Sequence, residues 1–352
     1  MYILREGFFV KQGIFAIITA AAISIATVPK GAAAIPEKGQ EYLQRLATGT
    51  LYVPYTAEDK PLYSEEEEQN AGASTEYISV EESTAEESAS EEQPIPEGAI
   101  AVQAVNLSRL EPTDIPKLLL ANETKYSVNL ESLADTAQSI GTGSVLIIHT
   151  HGTEAYLPSG QDYYLEGEDF RSTNSRENVV AVGAVFGEVL ESHGITVYHD
   201  QSLYDEFSYN NSYTASRSAC RQWLQQHPDI RYVIDIHRDA VSDGSGQSQK
   251  TLCTVEGQSV AQVMLVIGTD EAGASHASWQ TNLSVGAKYQ QYLNAHPTFA
   301  RPMYLRRASY NQQLCTGSML LEVGSAANTL DEAKAAATLA AQAFCKLYNE
   351  LK

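Results

Sequence analysis

The sequence is poor in positive charge, in cysteine and in the glycine motifs that cradle nucleotides. Its 352 residues carry 23 Lys and Arg against 44 Asp and Glu, a formal net charge of -21. Nucleic-acid phosphates need a basic surface, so nucleic acid is excluded as a partner. The four cysteines, Cys220, Cys253, Cys315 and Cys345, stand far apart with no C-x-x-C. That pattern indicates neither a zinc ribbon nor a disulfide framework, and they read as small core hydrophobes. No G-x-G-x-x-G, P-loop or G-x-S-x-G occurs, which removes the common nucleotide and serine-hydrolase readings. There is also no uninterrupted apolar run of the roughly twenty residues that a standard spanning helix needs.

The longest such run is Gly13–Val28, sixteen uncharged residues that follow Arg5 and Lys11. It exceeds a typical signal-peptide core, and Lys11 could snorkel if Phe8–Val10 extended it. Ala32-Ala33-Ala34 offers a small-residue cleavage pattern, but the expected outcome is a retained single-pass anchor over residues 1–34. The basic residues predict a cytoplasmic N-terminus and an extracytoplasmic remainder, at the cell membrane. Residues 35–99 form the next region. A short helix is expected over 35–56. From Ala57 to Glu97 the composition turns to Glu, Ser, Ala and Thr, with fourteen acidic side chains and one Lys. Such a segment buries too little apolar surface to offset its ordering entropy, so a disordered spacer is expected.

The globular domain is expected over 100–352. Three of its segments run from a strongly apolar stretch straight into ionisable residues: Val145–Ile148 into His149-Thr-His151-Gly-Thr-Glu154, Tyr232–Ile236 into His237-Arg238-Asp239, and Met319–Leu321 into Glu322. Continuous apolar runs of this length fit strands buried on both faces of a parallel sheet. Ligands and catalytic groups gather at the carboxyl ends of such strands. Strands at Ile195–Tyr198, Gln262–Ile267 and Pro302–Leu305 alternate with helices at Asn178–Leu190, Ser212–Gln226, Trp279–Leu293 and Leu330–Leu351. The pattern predicts an α/β fold, a mainly parallel twisted sheet with helices on both faces.

Five of the eight histidines, His193, His199, His227, His276 and His296, lie near turns or helix ends and suit surface or hydrogen-bonding roles. His149, His151 and His237 instead follow buried strands with carboxylates close by. If the first strand stays extended, His149 and His151 point to the same side. His151 lies farther out and is the better metal ligand, with His149 a partner behind it and Glu154 an oxygen ligand within one turn.

These residues carry a resemblance. His149-Thr-His151-Gly-Thr-Glu154-Ala-Tyr156, Asn178–Gly183, Asp235-Ile-His237-Arg-Asp239-Ala240, Tyr310-Asn-Gln312 and Leu321-Glu322-Val-Gly324 resemble, in order, the motifs of the stage II sporulation protein P family. The likeness runs from about Ala104 to the C-terminus. Gly152 departs from the family's H-T-H-T-S-E pattern and leaves the ionisable residues in place. The family's catalytic domain is similar to the zinc-dependent N-acetylmuramoyl-L-alanine amidases. The resemblance therefore implies a membrane-anchored peptidoglycan hydrolase remodelling septal wall during sporulation engulfment, also associated with cleavage of peptide cross-links. It implies stage II sporulation proteins D and M as partners. It also implies zinc held by His151, His237 and a glutamate, with Glu322 as the catalytic residue. Within the family the glutamate after H-T-H selects Glu154. The amidases themselves place theirs at the opening of the first helix, which keeps Glu177 as the alternative, although an acid there also suits the helix dipole. Arg238 could steer a substrate carboxylate or pair with Asp239, and Tyr156, Tyr163 and Tyr164 could line a groove. The competing functions are a catalytically silent wall-binding scaffold of the same fold, and a serine hydrolase using His237 and Asp239.

Overall fold

The computed structural model describes residues 95–108 and 118–352. The Gly13–Val28 anchor, the Ala32–Ala34 pattern, the helix over 35–56 and almost all of the acidic spacer lie outside the described residues. Among the described residues no helix is long and apolar enough to cross a membrane.

The first strands are short: β1 (Ala99–Ala101), β2 (Gln103–Val105) and β3 (Leu120–Asn122). Then come β4 (Ser144–Ile148), β5 (Tyr163–Leu165), helix α1 (Val179–Ser192), β6 (Val197–His199), helix α2 (Ser212–Gln226) and β7 (Ile230–Asp239). A hairpin of β8 (Gln249–Val255) and β9 (Gln258–Ala261) follows, with β10 (Val263–Gly268), helix α3 (Trp279–Leu293), β11 (Met303–Arg306), β12 (Ser318–Ser325) and helix α4 (Leu330–Glu350). Seven strands make the central sheet in the order β3-β11-β10-β12-β7-β4-β6. Of its six neighbouring pairs only β10–β12 is antiparallel. The sheet is thus mainly parallel in its pairings, but chain direction reverses once, between β12 and β10. β1 pairs with β5, and β2 joins the β8–β9 hairpin, in two smaller sheets.

Alternation along the strands sorts side chains to two faces. Val145 and Ile147, Tyr232, Ile234 and Ile236, Leu265 and Ile267, and Leu321 and Val323 form one core with α1, α3 and α4. At roughly 1.5–3 kcal/mol for each large apolar side chain fully buried, this face carries most of the folding energy. On the other face Leu146, Ile148 and Val233 meet Ala219 and Cys220 of α2. On the same face Tyr213, from the first turn of α2, and Tyr310, from the β11–β12 connection, pack with Met264, Val266, Tyr304 and Leu320. Helices cover both faces as expected, three against one. The face with a single helix is the one to which alternation in β7 and β12 sends Asp235, His237 and Glu322.

Two caps fix where helices start. Asn178 accepts the Val180 amide, which opens α1, and Thr329 with Glu332 forms a capping box at α4. All four cysteines are free thiols, and Cys220, Cys253 and Cys345 are buried as core residues.

Candidate metal centre

β4 ends at Ile148 and the chain turns through Thr150–Thr153, so His149 and His151 part company. His149 goes under α1: Nδ1 donates to the Ile236 carbonyl at 2.9 Å, and Nε2 accepts from His199 Nε2 at 2.8 Å. A carbonyl can only accept, which settles the tautomer of both rings. Burial lowers the pKa of His149, and that of His199 to about 3, keeping the pair neutral. The expectation that His149 and His151 share a side is corrected here, because the turn at Thr150 breaks the period of two.

His151 instead meets Glu154 and His237. Glu154 Oε1 lies 3.4 Å from His151 Nδ1, and its Oε2 lies 3.5 Å from His237 Nδ1. One ligand atom from each of the three can be chosen so that all lie within 4.8 Å of one another, and all three residues are buried. The turn is held from both sides. Thr153 gives its amide and hydroxyl to the buried Asp205, and the Arg238 amide donates to Glu154 Oε2 at 3.1 Å. Tyr209 stacks on the His151 ring with centroids 4.4 Å apart, while Tyr213 meets it edge-on. Burial opposes ionisation of Glu154, but its contacts with His151 and His237 outweigh that and hold its pKa well below the carboxylate range. His237 shows the converse: burial disfavours its charge, yet the Asp235 and Glu154 carboxylates raise its pKa well above 6.5.

Glu322 reaches the same place from β12. It pairs in register with His237 across the parallel β12–β7 ladder. It is buried, and its Oε2 has no hydrogen-bond partner. Burial, with Asp239 and Glu154 nearby, pushes its pKa up to about 8. Two imidazoles and a carboxylate are the donor set of a catalytic zinc site with an open position. Buried His151 Nδ1 and Glu322 Oε2, neither of them hydrogen-bonded, fit a metal and its water better than they fit a closed core.

Other expected residues lie elsewhere. Glu177 is exposed, its carboxylate taken by Ser172 and Asn174, and it does not join the cluster. Asp239 pairs with Arg301 at 2.6 Å. Arg238 is therefore not its ion-pair partner. The guanidinium donates to the carbonyls of Ala155, Phe170 and Asp239, tying down the loop that carries Glu154. Tyr156 donates to the Val323 carbonyl and Tyr164 accepts from Ser248, so both are held in packing roles. Among the described residues no serine hydroxyl bonds either ring nitrogen of His237, and the serine-hydrolase arrangement is absent. Tyr209, Asp205 and Asp235 had carried no expectation. Only the aspartate two before His237 left a trace in sequence, sharing its side of the strand.

The chain matches the family description Stage II sporulation protein P over residues 37–345. It belongs to that family. Stage II sporulation protein P of Bacillus subtilis (strain 168) is 31% identical over 218 residues, 58% of this chain and 51% of that protein. The chain thus spans about half the length of this curated relative. Solved structures to which it is similar include the CwlD amidase from Clostridioides difficile in complex with the GerS lipoprotein. That match has 13% identity, covers 59% of this chain and 98% of that one, and has a TM-score of 0.38. Another is the N-acetylmuramoyl-L-alanine amidase AmiC2 of Nostoc punctiforme, at 13% identity, 60% and 98% coverage and a TM-score of 0.35.

Proposed function

We propose that this chain is an exported, membrane-anchored, zinc-dependent N-acetylmuramoyl-L-alanine amidase. It acts on peptidoglycan during sporulation engulfment, cutting between the lactyl group of muramic acid and L-alanine. The observation that carries the reading is the buried His151–Glu154–His237 group beside Glu322. Family membership supports the sporulation setting, and stage II sporulation proteins D and M are the partners it suggests.

His151, Glu154 and His237 would hold the ion. Zinc so held supplies Lewis-acid polarisation of a carbonyl and acidifies water toward neutral pH. The protein's own residues do the rest. Glu322, beside His237, takes the proton of the attacking water and passes it to the leaving amine. A carboxyl that must accept and then return a proton works best with a pKa near the operating pH. Burial and the neighbouring acids lift Glu322 in that direction, and a divalent charge draws it back down. Tyr209 shields one side of His151 from water, and Arg238 holds Glu154 in place through the backbone.

The test is digestion of purified cell wall by the full chain, with and without chelator, followed by mass spectrometry. Free stem peptides beginning at L-alanine, lost on chelation and restored by zinc, are expected. Cleavage only within peptide cross-links would assign an endopeptidase instead. Wall binding without any product would leave the scaffold.

A further inference from the structure

We propose that Asp235 is a positioning residue that commits His237 to the metal through Nδ1 and locks the ends of β4 and β7 together. The proposal rests on the zinc site proposed above. Asp235 and His237 are two apart on β7, so their side chains leave the same face of the strand. His237 Nε2 lies 3.0 Å from Asp235 Oδ1. The approach is bent off the ring's N–H axis, leaving Nε2 short of a full hydrogen bond. Nδ1 faces the opposite way, toward Glu154. A metal-binding imidazole needs a lone pair on one nitrogen and a proton on the other, and a carboxylate beside the second selects that tautomer. Here the carboxylate sits at Nε2, which leaves Nδ1 for the ion.

The position of Asp235 is set by more than His237. Its Oδ1 accepts the Thr150 amide at 2.9 Å and its Oδ2 the Thr150 hydroxyl at 2.6 Å. Thr150 directly precedes His151, so one carboxylate indexes the backbone of the first ligand against the ring of the second. Thr150 Oγ1 also lies 2.9 Å from Ser216 Oγ on α2. Asn311 donates to Ser216 Oγ at 3.1 Å and to the Tyr213 carbonyl at 2.8 Å. Asn311 holds φ at 58°, a left-handed conformation that asparagine tolerates better than most residues. The chain of contacts thus runs from the ligand ring through β4 and α2 to the β11–β12 connection.

A merely structural aspartate would tie Thr150 to β7 without affecting metal. The two roles separate in zinc affinity, measured on the full chain by competition with a chromophoric chelator. Asp235→Ala should weaken zinc binding about 10–100-fold. Asp235→Asn should lose less, because its amide oxygen can still stand beside Nε2 and favour the proton there. Wild-type zinc affinity in folded Asp235→Ala overturns the proposal. Should that variant fail to fold, the zinc-loaded wild-type crystal structure decides: metal on Nδ1 supports the assignment and metal on Nε2 overturns it. If the wild-type chain binds no zinc at all, the proposed function itself fails, and this assignment with it.

Discussion

Replacing Glu322 by glutamine should make the metal-free protein more stable and the zinc-loaded protein far less active. In the fold Glu322 is buried among acids and its pKa stands at about 8, whereas an ordinary glutamate has 4.5. Below pH 4.5 the side chain is protonated in both folded and unfolded chains and costs nothing. As pH rises toward 8 the unfolded chain ionises and the folded one resists, so stability falls. Above 8 the loss is complete, roughly 5 kcal/mol at about 1.4 kcal/mol per pH unit. Glutamine keeps the shape and cannot ionise. In chelated protein the advantage of Glu322→Gln should therefore be near zero at pH 4.5 and grow through neutrality. By pH 8.5 a difference on the order of 10 °C in Tm is expected, at about 2–4 °C per kcal/mol for a domain of this size. Thermal melts of both proteins across that pH range measure it. With zinc restored, the same variant should retain metal and wall binding but lose roughly two or more orders of magnitude in turnover. A stability difference that does not change with pH would refute the crowded, desolvated carboxyl, and wild-type turnover would refute its role as base.

The remaining expectations concern the ligands, the packing behind them and the topology. His151→Ala, His237→Ala and Glu154→Ala should each lose bound zinc and wall hydrolysis, while Glu177→Ala should keep both; metal content and turnover decide, and loss of zinc in Glu177→Ala would reinstate the alternative ligand. Gly183→Ala would place a methyl 2.5 Å from His149 Cε1, so overpacking of about 1–3 kcal/mol should exceed the ~1 kcal/mol that alanine gains in a helix, lowering the denaturation midpoint. An unchanged or raised midpoint would refute the close contact. The full chain should stay in washed membranes and release a domain starting within the acidic spacer on external proteolysis; a soluble form starting after Ala34 would mean cleavage.

The parts of the fold that sequence made legible are those whose own residues carry the signal. β4, β7 and β12 are buried on both faces, so each appears as a continuous apolar run, and the ionisable residue where the run stops marks the site. The four helices carry their spacing with them. What stayed hidden depends on partners distant in the chain. The reversal between β10 and β12 is a matter of pairing, invisible in either strand alone. The β8–β9 hairpin turns at Glu256-Gly257, both with positive φ, where glutamate replaces the usual asparagine or aspartate signal. His149 and His151 part because a period of two holds only while the strand lasts. Arg238 next to Asp239 looks like an ion pair in sequence, but neighbours on a strand face opposite sides, and Arg301 is the residue that reaches Asp239.

The cluster itself argues for function over stability. Asp235 and His237 on β7, Glu322 on the adjacent β12 and Glu154 on the loop after β4 are all buried, where apolar residues of similar volume would in general be neutral or stabilising by about 1–4 kcal/mol. Tyr232, Ile234 and Ile236 alternate with the site residues of β7, and Leu321 and Val323 flank Glu322, each facing the opposite core. The sheet thus uses one face to offset what the other costs. Burial pushes both carboxyls up, but His237 and Thr150 outweigh it at Asp235 and lower its pKa, while at Glu322 the charges of Asp239 and Glu154 add to burial and raise it. Carboxyls pushed in opposite directions within one pocket mark a division of labour, one kept ionised to orient a ligand and one kept ready to exchange a proton. A core selected for packing alone has no reason to hold both.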